Sequence, residues 1–254
     1  MSDNQQGTVK TTIKDEVAYI QFAHPAHNAM PGAQLARLAQ AIKASGDNQA
    51  VKVIVLSSGG DRTFCAGASF DELMAIQDID TGKAFFMGFA NVINAMRTCP
   101  KFIIGRVQGK AVGGGVGLAS ATDFCVSTQY ASVKLSELAI GIGPFVVGPA
   151  VERKIGSAAF SATSIDAADW RSAQWAKEKG LFAEVFDQAA DMDQYIYTLA
   201  QKLVKYSPEA MSELKKVFWA GTENWNELLA ERAAISGRLV LSDFTKQFIK
   251  KFKG

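Results

Sequence analysis

Histidine is nearly absent from this chain. His24 and His27 are the only two, and they lie close together near the N-terminus. A Ser-His-Asp triad would have to recruit one of them, which weighs against that chemistry. Cysteine is scarce too: Cys65, Cys99 and Cys125 show no metal-binding spacing and read as reduced thiols, so no metal site is expected. No apolar stretch is long enough to span a bilayer, and the polar residues 1–6 lack the apolar core of a secretory signal. These absences point to a cytoplasmic protein with no membrane partner. Charge is equally sparing, with 27 Lys and Arg against 25 Asp and Glu for a net +2, and it gives nucleic acid no support as a partner. The rest is ordinary: 254 residues, 48% hydrophobic and 20% charged, enough for one large domain or a domain with an appendage.

The pattern changes along the chain. Residues 17–22 alternate like a half-buried strand, and residues 51–56 are a β-branched strand. Pro31 opens a helical pattern to Ala44, with Leu35, Leu38, Ala39 and Ile42 on one face. Residues 82–97 read as a helix ending before Pro100, and residues 102–107 and 123–127 as further strands. Strands separated by helices predict crossover units and a largely parallel sheet. Past Pro144 the strand signals fade. Helices are predicted at 144–156, 168–179, 188–206, 208–220 and 223–238, with a short one at 242–252. Ser207-Pro208-Glu209 is a cap, a proline and a first-turn acid, and Gly180 is a stop signal. There is no internal repeat.

Gly113-Gly114-Gly115, within residues 109–120, is the most informative feature. Three adjacent glycines at a helix start carry a cost in backbone entropy. Either the backbone must bend sharply there, or something approaches its N–H groups. A helix start also offers unpaired donors and partial positive charge. A second small-residue loop, running from Cys65 and Ala66 through Gly67, Ala68 and Ser69, follows the strand ending at Leu56. Loops after parallel strands gather at one end of a sheet, where ligands bind. Two such loops can each supply one N–H to a single oxygen, the design of an oxyanion hole. Phosphate loops fit poorly. Gly105 to Ala111 has the wrong spacing and no Ser or Thr after Lys110, and Leu118 and Ser120 stand where a dinucleotide fingerprint needs glycine.

Phe64-Cys65-Ala66-Gly67-Ala68, the glycine-rich 109–115 segment, Asp123, and Glu137-Leu138-Ala139-Ile140-Gly141 with Pro144 together resemble the enoyl-CoA hydratase/isomerase (crotonase) family. So do Asn28-Ala29-Met30, the 165–181 segment and the closing Phe244 to Gly254, so the resemblance spans nearly the whole chain. It implies an α/β fold: a crotonase-like spiral core of repeated β-β-α turns over residues 1–195, followed by a helical C-terminal trimerisation region over 196–254. It also implies acyl-CoA thioester substrates, an enolate intermediate, no cofactor beyond the CoA carried by the substrate, and homotrimers or hexamers. The amides of Ala66 and Gly114 are the expected oxyanion donors, with substrate contacts at Ala68, Gly113, Gly117 and Pro144.

Hydratases of this family use two glutamates. Here the first position holds Gly117 and the second Glu137. On the residues alone Glu137 reads as an ordinary exposed glutamate at a strand end. The family register makes it the acid/base group, in an apolar setting that would raise its pKa. One carboxylate suffices to lift a proton and return it two carbons away, which is double-bond isomerisation. Hydration is also open, because the 141–149 loop resembles that of methylglutaconyl-CoA hydratases. Decarboxylation, thioester hydrolysis, and a non-catalytic CoA-ester-binding or RNA-binding homologue are the further alternatives. Ser69 stands where the family more often has Asp. Asp71 and Glu72 are expected to favour a helix start, Phe85, Phe86 and Phe89 to pack in the core, and Asp123 to cap or pair with a buried cation. Lys250, Lys251 and Lys253 read as a solvated tail, and His24 and His27 as surface residues near the CoA entrance.

Overall fold

The computed structural model describes residues 7–253, with side chains through Lys251. Its elements in chain order are β1 (Thr8–Lys14), β2 (Val17–Ala23), α1 (Gly32–Asp47), β3 (Val53–Ser58), β4 (Thr63–Cys65), α2 (Phe70–Ala75), α3 (Ile79–Thr98), β5 (Phe102–Val107), β6 (Lys110–Val112) and α4 (Gly114–Ser120). They continue with β7 (Phe124–Thr128), β8 (Ser132–Lys134), α5 (Gly148–Ile165), β9 (Arg171–Ser172), α6 (Ala173–Glu178), β10 (Glu184–Phe186), α7 (Ala189–Leu203), α8 (Pro208–Phe218), α9 (Trp225–Leu239) and α10 (Asp243–Lys253). From β3 to β8 successive strands alternate between a six-stranded sheet, β1-β2-β3-β5-β7-β10, and a four-stranded sheet, β4-β6-β8-β9. The windings β3-β4, β5-β6 and β7-β8 thus contribute one strand to each sheet before the helix that follows, the expected spiral of β-β-α turns.

Period two in β3 shows how the sheet is covered. Ile54 and Leu56 join the main core, which includes Leu35 and Leu38 of α1, Phe89 and Ile93 of α3, and Leu229 and Ala233 of α9. Val53 and Val55 face the other way, onto Met192, Ile196 and Ala200 of α7. Helix α3 meets α9 through two glycines. A Cβ on Gly82 would lie 2.7 Å from the Gly237 carbonyl oxygen, so only glycine allows this crossing. The predicted boundary after residue 195 falls inside α7, and Trp225, Leu229 and Ala233 belong to the same core as the sheet. Among the described residues, no helix is long and apolar enough to cross a membrane.

Several predicted boundaries are corrected. Residues 144–147 are a turn; α5 begins at Gly148 and is interrupted at Gly156, which adopts φ +77°. The predicted helix over 168–179 is a strand at its start. Arg171 and Ser172 pair antiparallel with β8, and Ser172 then caps the shorter α6 through the Trp175 N–H. Leu181 N–H bonds the Ala176 carbonyl, and Gly180 stops α6 at φ +87°, as its stop signal predicted. Strand β1 escapes periodicity because it is an exposed edge. Its hairpin with β2 turns on Asp15 and Glu16, both at positive φ without glycine. The short strands β4, β6, β8 and β10 leave too few residues for a pattern.

Candidate active site

Three neighbouring strands of the smaller sheet, β4, β6 and β8, run parallel. Past their C-terminal ends the chain presents Ala66 and Ala68, then Gly113 and Gly114, then Ser136 and Glu137. All six line one cavity of about 60 Å³. Parallel neighbours sit roughly 4.8 Å apart, so groups leaving adjacent strands converge on a ligand-sized space. Phe70, Phe86, Phe89, Ile142, Val146 and Val147 make the walls apolar, and Ser236 enters from α9. Pro144 lines the cavity too. Phe86 and Phe89 serve both cavity and core, while Phe85 packs edge-on against both rings.

Each member of the glycine run is required by a different neighbour. A Cβ on Gly113, which adopts φ +51°, would lie 2.7 Å from Glu137 Oε1. On Gly114 it would strike the Phe89 ring, and on Gly115 it would stand 2.5 Å from the Cys65 carbonyl oxygen. Gly113 N–H bonds the Lys134 carbonyl, and the Gly113 carbonyl accepts from Val116 and Gly117. Gly114 N–H is one of the first-turn donors a helix cannot satisfy internally, and among the described residues it has no hydrogen-bond partner. It opens on the cavity.

The donor on the other loop is corrected. Ala66 lines the cavity, but its N–H is engaged, donating to the His27 carbonyl at 3.2 Å. Ala68 is placed differently. The Met30 N–H bonds the Gly67 carbonyl at 2.8 Å, and the Ser69 N–H bonds the Met30 carbonyl at 3.3 Å. In a trans peptide C=O and N–H point to opposite sides. With the Gly67 oxygen aimed at Met30, the Ala68 N–H aims away from it. Gly67 faces that other side, since a Cβ on it would lie 3.6 Å from Gly114 N. Asn28 braces the arrangement by donating to the Gly59 and Thr63 carbonyls at 2.7 and 2.8 Å. This is the physical work of Asn28-Ala29-Met30. The Cys65 thiol is buried and pushed up to about 12, which makes it filler and not a nucleophile.

Glu137 is half-buried as a residue, but its carboxyl end is enclosed. Oε2 has neither solvent nor a hydrogen-bond partner. Burial pushes the carboxyl from its ordinary 4.5 up to about 7. The Glu137 carbonyl accepts from Ile142 N–H at 2.9 Å, fixing the turn that carries it. The exposed strand-end glutamate suggested by the residues alone is not what the fold builds.

Gly117 does not line the cavity. A Cβ there would stand 2.4 Å from Val147 Cγ1. The place of the family's first glutamate side chain is therefore filled by Val147, and Gly117 is a packing residue, not the substrate contact expected.

The Enoyl-CoA hydratase/isomerase family model matches residues 12–251. The chain belongs to this family. Family chemistry is performed on CoA thioesters. Carnitinyl-CoA dehydratase of Salmonella paratyphi A is 30% identical over 216 residues, covering 84% of this chain and 80% of that protein. Bacillaene synthase dehydratase PksH of Bacillus subtilis is 33% identical over 153 residues, covering 59% of this chain and 58% of that protein's length. The fold matches enoyl-CoA hydratase from Bacillus halodurans at a TM-score of 0.88 and 19% identity, over 96% of this chain and 99% of the other. An enoyl-CoA hydratase from Mycobacterium avium aligns at 0.84 and 24% identity, over 100% and 97%.

The structure also places the other residues singled out in the sequence. Asp123 is buried, paired with Lys215 at 2.8 Å. Ser69 caps α2 by accepting from Glu72 N–H, and Glu72 Oε2 accepts from Gly32 N–H at 2.7 Å. Ser69 thus has a structural role that its sequence position did not reveal. His27 is exposed and His24 half-buried, both beside a surface cleft with Arg62. Lys250 and Lys251 are exposed; the side chain of Lys253 lies outside the described residues. Among the described residues, no three of His, Cys, Asp and Glu gather to hold a metal ion.

Proposed function

We propose that this protein shifts a double bond along the acyl chain of a CoA thioester, with Glu137 as its single acid/base. The Ala68 and Gly114 amides hold the thioester oxygen. Glu137 takes a proton from the carbon next to the thioester of a 3-enoyl substrate. The charge spreads into that oxygen, where two fixed dipoles in an apolar cavity stabilise it without reorganising. The carboxylic acid then returns the proton two carbons along, giving the conjugated 2-enoyl thioester. The step is redox-neutral, and CoA travels with the substrate.

The observation that carries this reading is the enclosed Glu137 carboxyl, poised near neutrality on the cavity that holds both free amides. Val147 in the space beside Gly117 favours isomerisation over hydration, because water addition needs a second group to orient the water. The dehydratase relatives keep water addition and removal as the second reading, with Ser136 and Ser236 the polar side chains available to it. Trimeric or hexameric assembly belongs to the proposal too: α8 leaves Leu214, Val217 and Phe218 exposed, and light scattering reads the mass.

The test is spectroscopic. With hex-3-enoyl-CoA, isomerisation creates the absorbance of a conjugated enoyl thioester. With trans-hex-2-enoyl-CoA, hydration bleaches it. Growth of the chromophore, abolished in Glu137→Gln while CoA-ester binding persists, is the expected result. Bleaching of the 2-enoyl substrate alone assigns a hydratase, and full turnover by Glu137→Gln overturns the assignment of the base.

A further inference from the structure

The cavity that holds Glu137 contains a polar group the double-bond shift does not use. Ser236 of α9 lines it and is 1% exposed. Among the described residues its hydroxyl has no hydrogen-bond partner. A serine inside a helix can settle its hydroxyl on the carbonyl four residues back. Ser161 does so in α5, on the Ser157 carbonyl at 2.7 Å; Ser236 does not. Nor is it sealed in packing, as the unpartnered hydroxyls of Ser120, Ser127 and Ser164 are. The open space beside it is the cavity.

Packing explains the size of this residue but not its oxygen. The next residue, Gly237, crosses Gly82 of α3 at backbone contact, which favours a small neighbour. Alanine would serve that crossing equally well, without taking a polar atom out of water unpaired.

Helix α3 measures where Ser236 stands. Its Phe89 ring fills the space beside Gly114, at the thioester end, and its Gly82 meets Gly237. Phe89 and Gly82 are two turns apart, about 10 Å along the axis. Ser236 therefore faces the far part of an acyl chain, beyond the carbons that exchange protons at Glu137. Among the described residues no Lys, Arg or His lines the cavity, and its one carboxyl is at the reacting end. A charged group reaching Ser236 would be buried without a counter-charge. A hydroxyl is different: it can both donate to and accept from the serine.

We propose that Ser236 selects the substrate, an enoyl-CoA whose acyl chain bears a hydroxyl beyond the reacting carbons. This rests on the acyl-CoA reading above and names its substrate class. Ala68 and Gly114 hold the thioester oxygen, Glu137 moves the proton, and Ser236 reads the far oxygen across the same chamber.

The experiment compares two thioesters with chains of equal length, 6-hydroxyhex-3-enoyl-CoA and hept-3-enoyl-CoA, which differ by a hydroxyl in place of a methyl. The hydroxylated ester is expected to have at least about fivefold higher kcat/KM, mainly through KM, because the methyl leaves the serine unpaired. Ser236→Ala should reverse that order, since the substrate hydroxyl then loses its partner, while the thermal midpoint is no lower than the parent's. A second readout needs no turnover: calorimetry on the parent with 6-hydroxyhexanoyl-CoA against heptanoyl-CoA, where at least about fivefold tighter binding of the hydroxylated ester is expected. Equal handling of the two chain ends, or an equal change on both esters in Ser236→Ala, overturns the proposal. If neither enoyl ester turns over yet 6-hydroxyhexanoyl-CoA is preferred, the substrate class stands and the isomerase reading falls. Turnover without preference gives the reverse.

Discussion

The carboxyl groups of Asp123 and Glu137 are both enclosed by the fold, and they are opposites. Asp123 is saturated: Lys215 pairs with it at 2.8 Å, Trp219 Nε1 donates at 2.8 Å, and the Ile103 N–H donates at 2.8 Å. Its side chain and that of Lys215 are 4% and 2% exposed. Glu137 has no cation beside it, and one oxygen has no partner at all. Burial alone therefore does not mark a reactive acid. An acid ringed by donors ties elements together, here the start of β7, β5 and α8. An acid enclosed without donors keeps a proton within reach of neutrality and is available to exchange it.

The sharpest way to break this comparison is to remove each charge in turn. Glu137→Gln should lower turnover by a factor of about 10³ or more, in line with the 10²–10⁴ typical of general acid–base catalysis, while leaving the thermal midpoint at neutral pH no lower. Asp123→Asn should do the reverse. It strands the Lys215 ammonium in the interior and should cost about 3–5 kcal/mol in denaturant unfolding.

A smaller effect separates the two by pH. The Glu137 carboxyl titrates about 7 when folded and near 4.5 when unfolded, so the folded chain binds its proton more tightly. Stability from this group is fully present below about pH 4.5, falls as pH rises through 7, and then stays level. The difference is about 3 kcal/mol, from about 1.4 kcal/mol per pKa step. Glu137→Gln should therefore unfold at higher denaturant than the parent at pH 8 and show no such gain at pH 4. Turnover should rise with pH through about 7, as the base form fills.

The smallest expected effect concerns the missing partner of Glu137. Gly117→Ala drives a methyl into Val147 and should cost about 1–3 kcal/mol by overpacking. Combining it with Val147→Ala should recover most of that in the same unfolding measurement.

Much of this was legible beforehand. The glycine run and the structural role of Asp123 were readable from residue types and spacing, whereas Glu137 stood out only through the family resemblance, since the residues alone suggested an exposed glutamate at a strand end. What could not be read is direction. Ala66 and Ala68 are the same residue type two positions apart, and only the bonds from Met30 and His27 decide which N–H is free. Val147 carries no chemical signal, and its meaning comes from facing Gly117 across a fold. Three-residue strands such as β4 and β8 are too short to show a period, yet they aim the whole site.

Because the reacting groups leave three adjacent strands of one ladder, the helices between them are free to drift. Lengthening α3 or the 135–147 turn alters what the chamber admits while β4, β6 and β8 hold their mutual offset. Inserting a single residue within one of those short strands would instead slide one exit by about 3.3 Å against the others. The spiral thus separates what can vary from what cannot: appetite lies in the crossovers, and aim lies in the ladder.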